Sequence, residues 1–248
     1  TNTISTLNLS GGGASGATTT ATLTVSGTTN VSLATIDATA LSSNLNITGV
    51  TTAAGAALTL GSGANTVTVA LADLARDAMT IDGGDGADTV TFAADADNAT
   101  YRPGLTSVET LSVAMKDASA GAVVVDLSDA NGDVDTIKLN VNDAEHGTTI
   151  QKGAISNLVL AGNYNGTNAT NYAVTVTDSA ADLTVTNSAA VGDDNTDLTV
   201  SKATGVTIKQ AHASAIDFET LTLTKATSAT LGGGGKAGAI TAQTTSAP

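Results

Sequence analysis

The sequence predicts an all-β chain wound as a parallel β-solenoid, and three observations carry that prediction. Four-residue segments of alternating character recur along the chain, their starts repeat at a period in the low twenties, and helical periodicity is scarce. The series opens with TLTV (22 to 25), NVSL (30 to 33), NLNI (44 to 47), ALTL (57 to 60), TVTV (66 to 69) and AMTI (78 to 81). It continues through TVTF (89 to 92), TLSV (110 to 113), TIKL (136 to 139), NLVL (157 to 160) and AVTV (173 to 176). DLTV at 182 to 185 and again at 197 to 200, GVTI (205 to 208), TLTL (220 to 223) and SATL (228 to 231) close it. The second and fourth positions are mostly Leu, Val or Ile and the third is often Thr, the period-2 signature of a strand with one buried face.

Spacing then selects the architecture. Starts at 66 and 89, 182 and 205, 197 and 220, and 205 and 228 are each 23 residues apart, and the last stretch steps by 15, 8, 15 and 8. Two short strands fit into each repeat, as a parallel solenoid needs when each coil stacks about 4.8 Å above the last and buries its aliphatic rungs on its neighbours. The alternative is an antiparallel β-sandwich, because the 8-residue steps also suit hairpins. LADLARDA (71 to 78) sets Leu71, Leu74, Ala75 and Ala78 on one face and predicts two turns of helix inside a coil, whereas 93 to 106 reads as a loop.

A longer duplication divides the chain. SVETLSV (107 to 113) and DFETLTL (217 to 223) share one frame at an offset of 110 residues and hold two of the three Glu. The repeat predicts a first module over 1–113, a second over 114–231 and a Gly-rich flexible tail over 232–248, the junction lying where MKDASAG (115 to 121) interrupts the strands. Glu109 and Glu219 read either as ligands or acids, or as corner residues that pair with backbone or a nearby Lys; the corner reading is preferred.

Composition narrows the chemistry. The 248 residues include 45 Thr and 19 Ser but no Cys, no Trp, 2 Phe and 3 Tyr. Disulfide scaffolds, Cys zinc sites and Cys nucleophiles are thereby excluded. No apolar run approaches the roughly 18 residues of a membrane span, so a soluble chain is expected. Net charge is −14, and 20 of the 23 acids are Asp. Nine scattered Lys and Arg are too few to neutralise a run of phosphates, which argues against nucleic acid or an anionic membrane as partner. Acid supplied almost wholly as Asp, beside 17 Asn and 26 Gly, belongs in turns, and short oxygen ligands in tight turns are what Ca²⁺ takes. His146 and His212 are the only His, in neither an HExxH nor a Ser-His-Asp context, and Gly-x-Ser-x-Gly is absent. The chain is read as no enzyme. With no initiator Met and no leader-like segment at its start, it is expected to be a fragment of a longer protein.

Residues 83 to 91, GGDGADTVT, carry the most specific motif, matching the nine-residue pattern Gly-Gly-x-Gly-x-Asp-x-aliphatic-x. Its glycines permit a turn with inward carbonyls, its Asp adds charge, and the aliphatic residue buries under the next coil. One such loop supplies only part of the six to eight oxygens around Ca²⁺, so a partner loop is expected one coil away. GSGANTVTV (61 to 69) is that partner, with Asn65 placed 23 residues before Asp88. The expected ligands are the carboxylates of Asp82, Asp85 and Asp88, carbonyls of Gly83 and Gly86, and the 61–65 loop through Gly61, Gly63 and Asn65. Asp129, Asn131, Asp133 and Asp135 alternate in DANGDVD and, with Asp126, form a second candidate, although Gly132 and Asn140 stand where an EF-hand would not put them. Asp193, Asp194 and Asp197 crowd GDDNTD as a third, where repulsion favours a cation among them.

With GGDGADTVT, the acidic Cys-free Thr-rich composition and the two ETL frames, the chain resembles RTX-type surface-layer proteins of Gram-negative bacteria. The resemblance implies type I secretion, folding on extracellular Ca²⁺ and self-assembly with copies of itself on the cell surface, with cell-surface polysaccharide as a further partner through another region. The resulting expectation is a structural lattice protein whose folding and assembly are coupled to Ca²⁺. An RTX adhesin or other binding module is the alternative, and a polysaccharide-processing β-helix enzyme is the weakest reading because aromatic platforms and Arg are scarce.

Overall fold

The computed structural model describes residues 5–12, 20–24, 33–50, 52–69, 79–94, 100–115, 122–142, 147–163, 172–188, 196–210, 218–232 and 239–242. Among them there is no helix, every strand pairing is parallel, and the chain forms a β-solenoid. Parallel pairing excludes the sandwich alternative, since consecutive hairpin strands run antiparallel. The chain divides into two compact units, one of residues 1–93, 101–112 and 129–134, the other of 94–100, 113–128 and 135–248.

In the first unit, β1 (Thr6–Gly11), β3 (Leu33–Leu41), β5 (Thr52–Thr59), β7 (Met79–Asp82) and β10 (Gly104–Thr106) form one sheet in that order. β2 (Thr20–Thr24), β4 (Asn44–Val50), β6 (Thr66–Val69) and β8 (Thr89–Ala94) lie side by side in that order in a second, ten-stranded sheet. Each coil runs along a strand of one sheet, turns a corner and continues along a strand of the other. The alternation decides what lies inside: Ile36, Leu58, Ile81 and Leu105 fall in one register column, and all four are buried. Ile47, Val67 and Val90 make the matching buried column of the other sheet. Thr66, Thr68, Thr89 and Thr91 occupy the opposite face of their strands and are half-buried.

The second unit repeats the plan. β12 (Val123–Asp126), β14 (Thr148–Gln151), β16 (Tyr172–Val176), β18 (Thr196–Val200), β20 (Phe218–Leu223) and β22 (Ala239–Ala242) form one sheet. β13 (Thr136–Asn142), β15 (Asn157–Asn163), β17 (Asp182–Asn187), β19 (Gly205–Gln210) and β21 (Ser228–Gly232) form the other. Val125, Ile150, Val176, Val200 and Leu223 stack as one buried column. The column Ile137, Leu158, Val185, Ile208 ends at Leu231, which is 47% exposed on the outermost strand. Inside this unit the buried Tyr172 hydroxyl meets Oγ1 of Thr148.

Several expectations shift at the level of elements. β9 (Thr100–Tyr101) and β10 lie inside the segment read as a loop, each too short to show alternation. β12 is a plain VVVD run, and the 232–248 stretch contains β22, which pairs with β20. β11 (Thr110–Met115) spans one of the changes of unit, between residues 112 and 113. The two ETL frames also occupy different places: Glu109 sits on the corner before β11, whereas Glu219 lies inside β20. The helix expected at 71–78 lies outside the described residues, as do His146 and His212.

Candidate metal centre

The 60–65 corner joins β5 to β6, and the 83–88 corner joins β7 to β8 one coil later. Strand register places them directly over one another: Thr59 pairs with Asp82 and Thr66 with Thr89. Glycine is required because the two backbones nearly touch. A Cβ on Gly84 (φ +81°) would lie 2.4 Å from the Gly61 carbonyl oxygen, and one on Gly86 (φ +129°) 2.6 Å from that of Gly63. No other residue tolerates both that angle and that approach.

At the end of each corner one side chain reaches back one coil to a backbone N–H. The Leu45 N–H donates to Oδ1 of Asn65 at 3.0 Å, the Asn65 N–H to Oδ1 of Asp88 at 2.7 Å, and the Asp88 N–H to Oε2 of Glu109 at 2.7 Å. Beside this column the Thr89 N–H donates to the Asn65 carbonyl and the Thr110 N–H to that of Asp88. Asn65, Asp88 and Glu109 thus act as successive caps, satisfying donors at the point where the strand ladder begins. Glu109 takes the corner role, pairing with backbone.

The predicted ligands divide sharply around this column. Carbonyls of Gly61, Gly63 and Gly83 do converge, but on the Asn65 amide nitrogen, at 3.3, 2.7 and 3.1 Å. Asn65, 1% exposed, therefore has both ends of its amide engaged within the protein. Asp88, equally buried, differs: Oδ1 accepts from Asn65, while Oδ2 is buried without a hydrogen-bond partner among the described residues. A Cβ built on Gly83 would meet the Ser107 carbonyl oxygen at 2.0 Å and Asp88 Oδ2 at 2.6 Å, so the two oxygens converge over the Gly83 Cα. Burial pushes the Asp88 carboxyl up to about 6; the Asn65 N–H and amide oppose this, and the charges of Glu109 and Asp82 add to it. An unpartnered carboxylate oxygen held beside a carbonyl calls for a positive partner, a proton or a cation.

Asp82 is half-buried and accepts the Gly84 N–H at 3.2 Å, while Asp85 is exposed at the loop tip. Among the described residues no three acidic or His side chains gather as a cage. A cation at Asp88 would therefore be held by Oδ2 of Asp88 and the backbone carbonyl of Ser107. This donor set is all oxygen and carries one negative charge, which fits Ca²⁺ better than a soft metal.

The remaining candidates are held by other partners. In DANGDVD, Ala130 and Val134 turn inward while Asp129, Asn131, Asp133 and Asp135 are exposed. Asp129 lies 3.9 Å from Arg102 Nε, Asp133 accepts the Ser107 N–H at 2.8 Å, and Asp135 accepts the Thr136 hydroxyl at 2.7 Å. Asp126 is buried, with Lys152 Nζ and Gln151 Nε2 on its Oδ2 and the Ser128 N–H on Oδ1. Burial opposes its ionisation, but those hydrogen bonds together hold it well below the usual carboxylate range. Asp197 is half-buried in β18; Asp193 and Asp194 lie outside the described residues.

Comparison of the chain with protein-family models, curated proteins and solved structures finds no match. Two participants escaped the sequence reading. Ser107 contributes a carbonyl and a left-handed backbone (φ +50°), which only the stacking of coils brings to Asp88. Lys152 neutralises Asp126 from 26 residues away, a pairing no local pattern announces.

Proposed function

We propose that this chain is a structural, non-catalytic solenoid of a bacterial surface layer, in which Ca²⁺ at the Asp88 corner stabilises the coils and couples folding to assembly outside the cell. One observation carries the reading: Oδ2 of Asp88 is buried without a hydrogen-bond partner at a glycine corner stacked on its predicted partner loop. With neither a proton nor a cation on it that oxygen is desolvated and uncompensated, so ionised apo coils carry an electrostatic penalty which metal removes. Association with copies of itself belongs to the same reading through the resemblance. Anchoring to cell-surface polysaccharide through another region and export by a type I route belong to the same reading, on the strength of the resemblance alone.

The test is a Ca²⁺ titration of the purified chain followed by circular dichroism and light scattering, with EGTA added at the end. Calcium is expected to raise β content or melting temperature and to promote association, and EGTA to reverse both. Indifference of both signals to calcium and chelator overturns the reading. Electron microscopy of the recalcified protein separates a lattice, seen as ordered sheets, from an adhesin, which stays monomeric and binds glycan or cells.

A further inference from the structure

The Asn65 and Asp88 corners are equivalent by register, yet they end in side chains of opposite hydrogen-bonding character. Asn65 Nδ2 is a donor, set among the carbonyls of Gly61 and Gly63 in its own coil and Gly83 in the next. One coil on, the equivalent positions are Gly84 and Gly86, stacked on Gly61 and Gly63, and Ser107, which follows the Asp82 to Thr106 register pair as Gly83 follows the Thr59 to Asp82 pair. Of these, the Ser107 carbonyl is found over the Gly83 Cα beside Asp88 Oδ2. Asp88 thus presents an acceptor where the coil below presents a donor. Both side chains use Oδ1 identically, to cap the N–H one coil back.

We infer that the Asn65 amide nitrogen is a built-in substitute for a cation, so that 61–65 and 83–88 are two copies of one site, the first filled by the protein itself and the second left for a metal. Nδ2 brings a partial positive charge and N–H donors to a ring of carbonyls, the electrostatic task of a bound cation at much lower charge. The inference rests on the calcium reading of Asp88 and changes its stoichiometry. The loops do not pool their ligands into one shared ion; each coil has its own position, and the residue at its end decides whether metal is needed. In this scheme an Asn at the corner end makes a coil metal-independent, and an Asp makes it metal-responsive.

Exchanging the two residues tests the scheme. Melting temperatures of the full chain are measured in EGTA and in excess CaCl₂ for the wild type, Asp88→Asn, Asp88→Ala and Asn65→Asp, with bound calcium counted by isothermal titration. Asp88→Asn is expected to melt above the wild type in EGTA, by on the order of 5 °C, because a donor now faces the Ser107 carbonyl. It is also expected to lose the calcium response and one bound ion. Asp88→Ala, which removes the cap on Asn65 as well, should melt below the wild type in both media. Asn65→Asp is expected to melt lower in EGTA, to recover in calcium and to bind one more ion. If this variant does not fold, Asp88→Asn alone decides.

The scheme is overturned if Asp88→Asn is destabilised in EGTA as much as Asp88→Ala, or if it keeps the full calcium response of the wild type. A wild type that ignores calcium sinks the metal reading instead. In that event a raised melting temperature of Asp88→Asn in EGTA still establishes the amide as the better occupant of the corner.

Discussion

Lys152 Nζ lies 2.9 Å from Oδ2 of Asp126, joining a half-exposed ammonium to a carboxylate that is 1% exposed. The pair lies at the end of β12, where Asp126 stands in register with Gln151 and receives its amide as well. The charge on Asp126 is tolerated in the interior because three neighbours donate to it.

Removing the ammonium leaves that charge short of its strongest partner. Lys152→Ala is expected to cost about 1.5–3 kcal/mol, the range for a hydrogen bond to a charged group. Lys202→Ala, at an ion pair in which both side chains reach solvent, should cost less than about 1 kcal/mol. Urea denaturation of the two variants side by side makes the comparison.

Acid should expose the same pair. The folded carboxyl of Asp126 titrates below its unfolded value of 3.8, so its stabilisation is present above that pH and is lost as pH falls from there through the folded value. Asp178 is lowered in the same direction, chiefly by its hydrogen bond from Lys202. Circular dichroism between pH 6 and pH 2 is expected to show unfolding in the acid part of this range, with Lys152→Ala unfolding at higher pH than the wild type. Identical midpoints would remove Asp126 from the acid transition.

Glycine substitutions separate backbone strain from steric contact. Gly84→Ala meets the Gly61 carbonyl at 2.4 Å in a left-handed conformation, whereas Gly132→Ala has a similar φ (+77°) and nothing within 4 Å. The strain common to both is about 1–2 kcal/mol. Gly84→Ala is therefore expected to lose clearly more stability than Gly132→Ala in thermal melts, and equal losses would mean that the corners do not touch as described.

The rungs give the largest expected losses. Ile81→Ala empties a buried position between Leu58 and Leu105 and should cost about 2–5 kcal/mol. Leu231→Ala, on the exposed terminal strand, should cost well under about 1 kcal/mol. Comparable effects at the two positions, measured by denaturation, would contradict the placement of β21 at a solvent-facing edge.

Strand type and coil stacking could be read from residue order because both rest on local regularities. Alternating TVTV and TVTF segments expose one face and bury the other, and an offset of 23 residues places Val67 under Val90 and Asn65 under Asp88. The glycine corners were readable for the same reason, since GSGAN and GGDGAD break the strands at matching points. VVVD at β12 and the three residues of β10 were not, because neither contains enough alternation to distinguish a strand from a loop. The Asp129 to Asp135 run shows the opposite failure: its alternation correctly separates inward Ala130 and Val134 from outward carboxylates, yet spacing alone could not reveal that Asp133 turns to the Ser107 N–H.

Chain order therefore established the coil, its period and the residues at its corners, because these follow from side-chain hydrophobicity and backbone freedom within a few neighbouring positions. Folding into stacked coils settled which atoms those corner residues face. Asn65 was expected to offer an oxygen to a metal and instead turns its nitrogen to three carbonyls, one of them 18 residues away. Asp88, in the same frame, is left with an oxygen that no hydrogen bond from the described residues satisfies. Hydrogen-bond partners of this kind come from the adjacent coil, and their polarity depends on atoms that no local pattern brings together.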